Sequence, residues 1–256
     1  MRNNIVLGCA AVLLAGCAHT EVAPADAIPP YIQAAVDDPG RADGDRERDA
    51  DRKPAEVIAF AGLKPGDKVA DFIPGRGYFT KIFCRVVGSK GHVYAVSVPI
   101  IRPGNPPPRP ADPPGGQCAN VSVIALQAQG AEAAAETFAV PEPLDLIWTS
   151  ENYHDLHNPA FGSPDMLAVD KALFAALKPG GILIVEDHAA EAGSGARDTN
   201  TLHRIDPEQV RREVTAAGFV YAGESTVLRH ADDPHTAKAH EMHDKTDRFL
   251  FKFRKP

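Results

Sequence analysis

Aromatic residues are scarce in this 256-residue chain, at 7%, and basic residues do not dominate: Lys and Arg number 27 against 34 Asp and Glu, a formal net charge of −7. That balance excludes a general electrostatic attraction to nucleic-acid phosphates. Beyond the first sixteen residues no apolar run approaches the ~20 residues needed to cross a bilayer. A coiled coil or long helical bundle is excluded by 23 prolines and 21 glycines. What is present, 44% apolar and 24% charged residues, suffices for one generous globular domain.

Cysteine is also sparse, with four in all, and their positions divide them. Arg2, the apolar stretch Ile5 to Leu14 and the run Leu14-Ala15-Gly16-Cys17 resemble a bacterial lipoprotein signal, in which the chain is cut before the cysteine and that cysteine is diacylated. The resemblance implies that residues 1–16 are removed, that Cys17 carries lipid and is the only membrane contact, and that residues 17–40 form an Ala/Pro-rich tether. With Ala18 rather than Asp after the cysteine, it also implies the periplasmic side of the outer membrane. Cys84 and Cys118 then remain in an oxidising compartment, either bridged or as two buried thiols.

Residues 41–256 make the domain. It opens on a dense mixed-charge run, Arg41 to Lys53, expected to be a solvated helix face or loop. Strand signals at Lys68–Ile73, His92–Val98, Val121–Leu126, Leu144–Thr149, Ile182–Glu186, Tyr221–Leu228 and Arg248–Arg254 are interspersed with helix signals at Pro54–Ala61, Tyr78–Val87, Met166–Leu177 and Pro207–Ala217. The alternation predicts an α/β fold, a doubly wound and mostly parallel seven-stranded sheet with an antiparallel last strand. A Pro-rich insertion, residues 99–117, replaces the helix expected between the second and third strands; Pro99 to Pro114 holds eight prolines and must be an extended excursion.

In such a sheet a ligand lies beyond the carboxyl ends of the strands, where the strand order reverses. The first strand runs out into Asp71-Phe72-Ile73-Pro74-Gly75-Arg76-Gly77-Tyr78 and straight into a helix. Gly75 and Gly77 let backbone approach a ligand, and the helix N-terminus offers free N–H groups. The fourth strand ends in Ser150-Glu151-Asn152-Tyr153-His154-Asp155-Leu156-His157, and the fifth in Glu186-Asp187-His188, with His203 on a later loop. His154, Asp155, Asp187, His188 and His203 are candidate catalytic groups, able to take a proton near neutrality. Imidazole and carboxylate also bind metals, with His154, His157 or Asp155, Asp187 and His188 as a conceivable set. No two-histidine-plus-glutamate motif of the zinc-hydrolase kind is present, and no metal is assigned. His235, His240 and His243 read as a surface connector.

With Lys64-Pro65-Gly66-Asp67-Lys68-Val69-Ala70-Asp71 before the glycine turn and Ala176-Leu177-Lys178-Pro179-Gly180-Gly181 before the fifth strand, the chain resembles class I S-adenosylmethionine-dependent methyltransferases. The closing segment, His243 to Pro256, is similar to that of an exported bacterial group of predicted methyltransferases. The resemblance implies S-adenosylmethionine as cofactor, held by Asp71, Pro74, Gly75, Gly77, Tyr78, Ser97, Glu151 and Asn152, and a small-molecule methyl acceptor. Two departures stand out. Ile73 occupies the first glycine position of the family's turn, and the second strand ends at Ser97 where the family has an acidic residue for the ribose hydroxyls. Loss of that charge-assisted bond costs ~1–3 kcal/mol of cofactor binding. A non-catalytic lipoprotein that holds another ligand or a metal on the same fold is the alternative.

Overall fold

The computed structural model describes residues 27–98, 118–126, 138–162, 165–242 and 245–256. The signal segment, Cys17, the Pro-rich insertion and His243 therefore lie outside the described residues. No described helix is long and apolar enough to cross a membrane.

Seven strands form one sheet: β1 (Lys68–Phe72), β2 (His92–Ser97), β3 (Val121–Ala125), β4 (Leu144–Ser150), β5 (Leu177–His188), β6 (Val220–Ser225) and β7 (Arg248–Arg254). Their order is β3-β2-β1-β4-β5-β7-β6. The first five pair in parallel, and β7 lies antiparallel between β5 and β6. The central strands are apolar on both faces because helices cover both, and side chains sort by the two-residue strand period. Ile147, Leu183, Val185, Phe249, Phe251 and Phe253 enter one core, whereas Leu146, Trp148, Ile184 and Leu250 enter the other. Strand order reverses between β1 and β4, which puts the expected ligand crevice at their carboxyl ends.

The helices are α1 (Pro30–Val36), α2 (Asp43–Arg46), α3 (Asp49–Arg52), α4 (Pro54–Ala61), α5 (Tyr78–Val87), α6 (Met166–Ala176), α7 (Thr199–Leu202), α8 (Pro207–Ala216) and α9 (Ala239–Met242). On α5, Phe79 and Phe83 pack against Trp148 with ring centroids 4.7 and 5.5 Å away. Asp206 caps α8 as expected, accepting from the Glu208 N–H at 3.0 Å.

Three expectations are corrected. The tether stops short of residue 40, because α1 is helical and buries Ile32, Ala35 and Val36 in the second core. Its prolines sit before and at the first helical position, where no N–H is needed. Nor is the run from Arg41 to Lys53 merely solvated: Arg41 is buried, bonding Asp49 through both terminal nitrogens at 2.7 Å and the Val36 carbonyl at 2.7 Å. Finally, β5 starts at Leu177, which pairs with Leu144, and its register with β4 shifts before Ile182 pairs with Leu146.

Cys84 of α5 and Cys118 are joined by a disulfide. Asn120 reinforces the junction, donating to the Cys84 and Gly88 carbonyls at 3.0 and 2.9 Å.

Candidate functional site

The turn after β1 holds three residues in the left-handed region: Ile73 (φ 60°), Gly75 (φ 54°) and Gly77 (φ 75°). Glycine adopts this backbone freely, but a β-branched residue pays ~1–3 kcal/mol. Two hydrogen bonds hold Ile73 there: its N–H donates to the Val96 carbonyl (2.8 Å), and its own carbonyl accepts from Asn152 Nδ2 (2.9 Å). The turn is thus preserved without its first glycine, and Asn152 stitches it to the end of β4. Gly75 is exposed and a Cβ built there meets nothing within 4 Å. Pro74 closes the turn, its carbonyl accepting from the Gly77 N–H at 2.8 Å. Ser97 stands at the tip of β2, in register with Ala125.

Two residues expected to contact a cofactor point inward instead. Asp71 is buried and accepts the Thr80 hydroxyl at 2.5 Å, which ties β1 to the first turn of α5. The Tyr78 hydroxyl donates to Asp49 at 2.6 Å, and the guanidinium of Arg52 lies 4.9 Å from its ring centroid. Both side chains therefore brace the turn. Burial pushes the Asp71 carboxyl up from 3.8 to about 6, against the opposing pull of its bonds to Thr80. The folded chain then keeps a proton that the unfolded chain releases near pH ~4, so stability falls as pH rises from ~4 to ~6 and stays lower above that. The loss is about 3 kcal/mol at ~1.4 kcal/mol per pH unit. Asp71→Asn is expected to abolish this slope and to be the more stable protein above pH ~7, as urea titrations on either side of the window would show.

Glu151, in a left-handed conformation (φ 57°), is also engaged by protein. Its carboxylate accepts from Arg52 at 2.6 Å and from Arg248 at 2.9 Å, and Arg48 stands 3.9 Å away. This cationic company holds its carboxyl well below the usual range despite burial. Arg248 is the hub: buried at 1% exposure, it also bonds Glu186 (3.2 Å) and the side chain and carbonyl of Asp51 (2.5 and 2.8 Å). Glu186 takes the Ser150 hydroxyl at 2.5 Å, and burial pushes its carboxyl up to about 7. Arg248 escapes a reading of the sequence because β7 looks like a plain alternating strand; the one signal is a charged pair, Asp247-Arg248, opening an aromatic run.

Histidines gather beside this layer. Asp187 is fully buried and receives three donors: the His154 backbone N–H (2.7 Å), His154 Nδ1 (2.7 Å) and the His188 backbone N–H (2.8 Å). With Nδ1 so committed, His154 turns Nε2 toward Asp155 Oδ1 (3.4 Å), which is itself 3.7 Å from His203 Nδ1. The two imidazole rings are 5.5 Å apart. Burial alone would depress the His154 pKa, but Asp187 outweighs it and raises it. His188, 6.2 Å from the His154 ring, is lowered to about 4 by burial and stays neutral. His157 leaves the group, pairing with Glu213 of α8 at 3.2 Å. His240, expected to be a bystander, lies 5.5 Å from the His203 ring. The fold thus brings His154, Asp155, Asp187, His188 and His203 to one end of β4 and β5, linked through Asn152 to the glycine turn.

No family model matches the chain. The ubiquinone/menaquinone biosynthesis C-methyltransferase UbiE of Yersinia enterocolitica is 28% identical over 194 residues, spanning 73% of this chain and 68% of that protein. Among solved structures, a SAM-dependent methyltransferase of Aquifex aeolicus is similar at TM-score 0.53 and 18% identity, covering 82% of this chain and 93% of its own. The cyclase SpnF is similar at TM-score 0.52 and 17% identity, covering 81% of both chains. Strand order and these likenesses together show that the chain has the seven-stranded, Rossmann-like fold of class I S-adenosylmethionine-dependent methyltransferases.

Proposed function

We propose that this protein transfers a methyl group from S-adenosylmethionine to a small-molecule acceptor. The observation that carries the reading is the junction at Asn152, which bonds the turn that carries Gly75 to the end of β4, two residues before His154 and its partner Asp187. The UbiE likeness supports the same chemistry. The residues fit the cofactor at the turn Pro74–Gly77, where the backbone at Gly75 is open to approach; Ser97 is a weaker ribose partner than a carboxylate. When bound, S-adenosylmethionine supplies an electrophilic methyl group. Asp187 fixes the His154 ring, and Nε2 of that ring takes the acceptor's proton as the acceptor attacks. A small acceptor accords with the acidic balance of the chain, which gives no general attraction to nucleic-acid phosphates.

The proposal extends to place. A lipoprotein anchored through Cys17 works in an oxidising compartment, and the Cys84–Cys118 bridge supports that setting. Ser97 favours a second reading, a binding protein that keeps the fold without the reaction, and the cyclase neighbour is a reminder that this fold serves other chemistry.

Calorimetric titration with S-adenosylmethionine and its demethylated product separates the two. Micromolar binding is expected, and silence at about 1 mM ligand overturns the enzyme reading. Gly75→Ala places a Cβ over the turn at φ 54°. It is expected to weaken cofactor binding at least ~tenfold while lowering stability by only ~1 kcal/mol.

A further inference from the structure

We infer that His154, Asp155 and His203 form a site for a divalent transition-metal ion of the zinc class. One ligand atom from each of the three lies within 4.8 Å of the others. The separations are informative. His154 Nε2 to Asp155 Oδ1 is 3.4 Å and His203 Nδ1 to Asp155 Oδ1 is 3.7 Å, both beyond the ~2.7–3.2 Å of a good hydrogen bond. Ligands held ~2.0–2.2 Å from a tetrahedral ion stand ~3.3–3.6 Å from one another, so both imidazoles already stand from the Asp155 carboxylate at close to the separation such a site needs.

The surroundings agree. Asp187 grips His154 Nδ1 at 2.7 Å, the carboxylate-to-imidazole support that fixes a metal-binding ring and leaves its far nitrogen free to coordinate. Asn158 Nδ2 steadies Asp155 by donating to Oδ1 at 3.0 Å. His203 is held at φ 53°, a left-handed conformation that a non-glycine residue keeps only under constraint, and it delivers the ring from the end of α7. Beside the set, His188 Nδ1 is buried with no partner among the described residues. Two imidazoles and one carboxylate suit zinc or a neighbouring ion far better than magnesium, which prefers oxygen ligands. Three protein ligands leave a fourth position for water or for a hydroxyl or thiol of the acceptor. With zinc bound, His154 Nε2 would be a ligand and no longer the proton acceptor; an acceptor hydroxyl or thiol at the fourth position would instead have its pKa lowered by the ion and release its proton to solvent.

The metal claim does not depend on methyl transfer, and its test keeps the two apart. Full-length protein, dialysed against a chelator, is titrated with zinc chloride and with magnesium chloride. One zinc per chain at micromolar strength or tighter is expected, with no magnesium binding at ~1 mM. Cobalt(II) in place of zinc is expected to give the intense visible bands of a four-coordinate ion. His203→Ala removes a half-exposed side chain and should preserve the fold by circular dichroism while weakening zinc at least ~tenfold; Asp187→Asn should weaken it ~10–100-fold. His240→Ala is expected to stay within about twofold of the parent. Absence of zinc heat, six-coordinate cobalt bands, or unchanged affinity in His203→Ala overturns the assignment. S-adenosylmethionine titrations on the same samples fail or succeed separately, since the glycine turn contributes no metal ligand.

Discussion

Replacing Arg248 by methionine is expected to cost the fold ~3–5 kcal/mol, read as a lowered urea midpoint. The side chain is buried and holds Asp51, Glu151 and Glu186 together. Methionine restores most of the volume, so the loss is electrostatic rather than a cavity effect. Glu151 keeps Arg52, but Glu186 is left with only a hydroxyl donor in a dry setting and must take up a proton. Because burial already pushes that carboxyl up to about 7, protonation offsets part of the penalty below neutrality, and the variant should be least stable in alkaline buffer. Adding Glu186→Gln to Arg248→Met should recover part of the loss. A double variant no better than Arg248→Met would show that Glu186 is not the stranded charge.

The second large effect is redox. The Cys84–Cys118 bridge closes 34 residues, and reduction is expected to destabilise the protein by ~3–4 kcal/mol in the chain-entropy treatment. The change acts on the unfolded ensemble, which gains the freedom the bridge had removed, while α5 stays anchored by Phe79 and Phe83 on Trp148. Thermal melts of the parent with and without reductant, beside the Cys84→Ser/Cys118→Ser pair, check this. The reduced parent and the double variant should melt together and below the oxidised form; coincident melts for all three would mean the bridge contributes nothing.

Much of the sheet was legible because strands buried on both faces and helices ended by glycine write themselves as apolar runs with punctuation. β7 was expected at Arg248–Arg254 and α5 at Tyr78–Val87, and both form over those residues. The glycine turn was legible for the same reason. The charged layer was not, because periodicity carries no information about which charge meets which. Glu151 reads as a polar strand end, and only the fold shows that Arg52 and Arg248 reach it from residues about a hundred positions away on either side. The turn holding Asp71 and Tyr78 was legible, but not that Thr80 and Asp49 take their side chains. The grouping of His154 and Asp155 with His203 was only half legible: the adjacent pair stood in the metal set considered from the sequence, whereas His203 comes from a later loop whose path the sequence does not give.

The position of β7 bears on the order in which the protein is assembled. A ribosome delivers β5 and β6 before the strand that must slip between them, and among the described residues β6 pairs with β7 alone. Until residues 248–254 emerge, the nascent chain has an open seam in its sheet and lacks the arginine that bonds Glu186. Closure of the sheet therefore waits on a segment that follows β6 in the chain, although that segment lies between β5 and β6 in space.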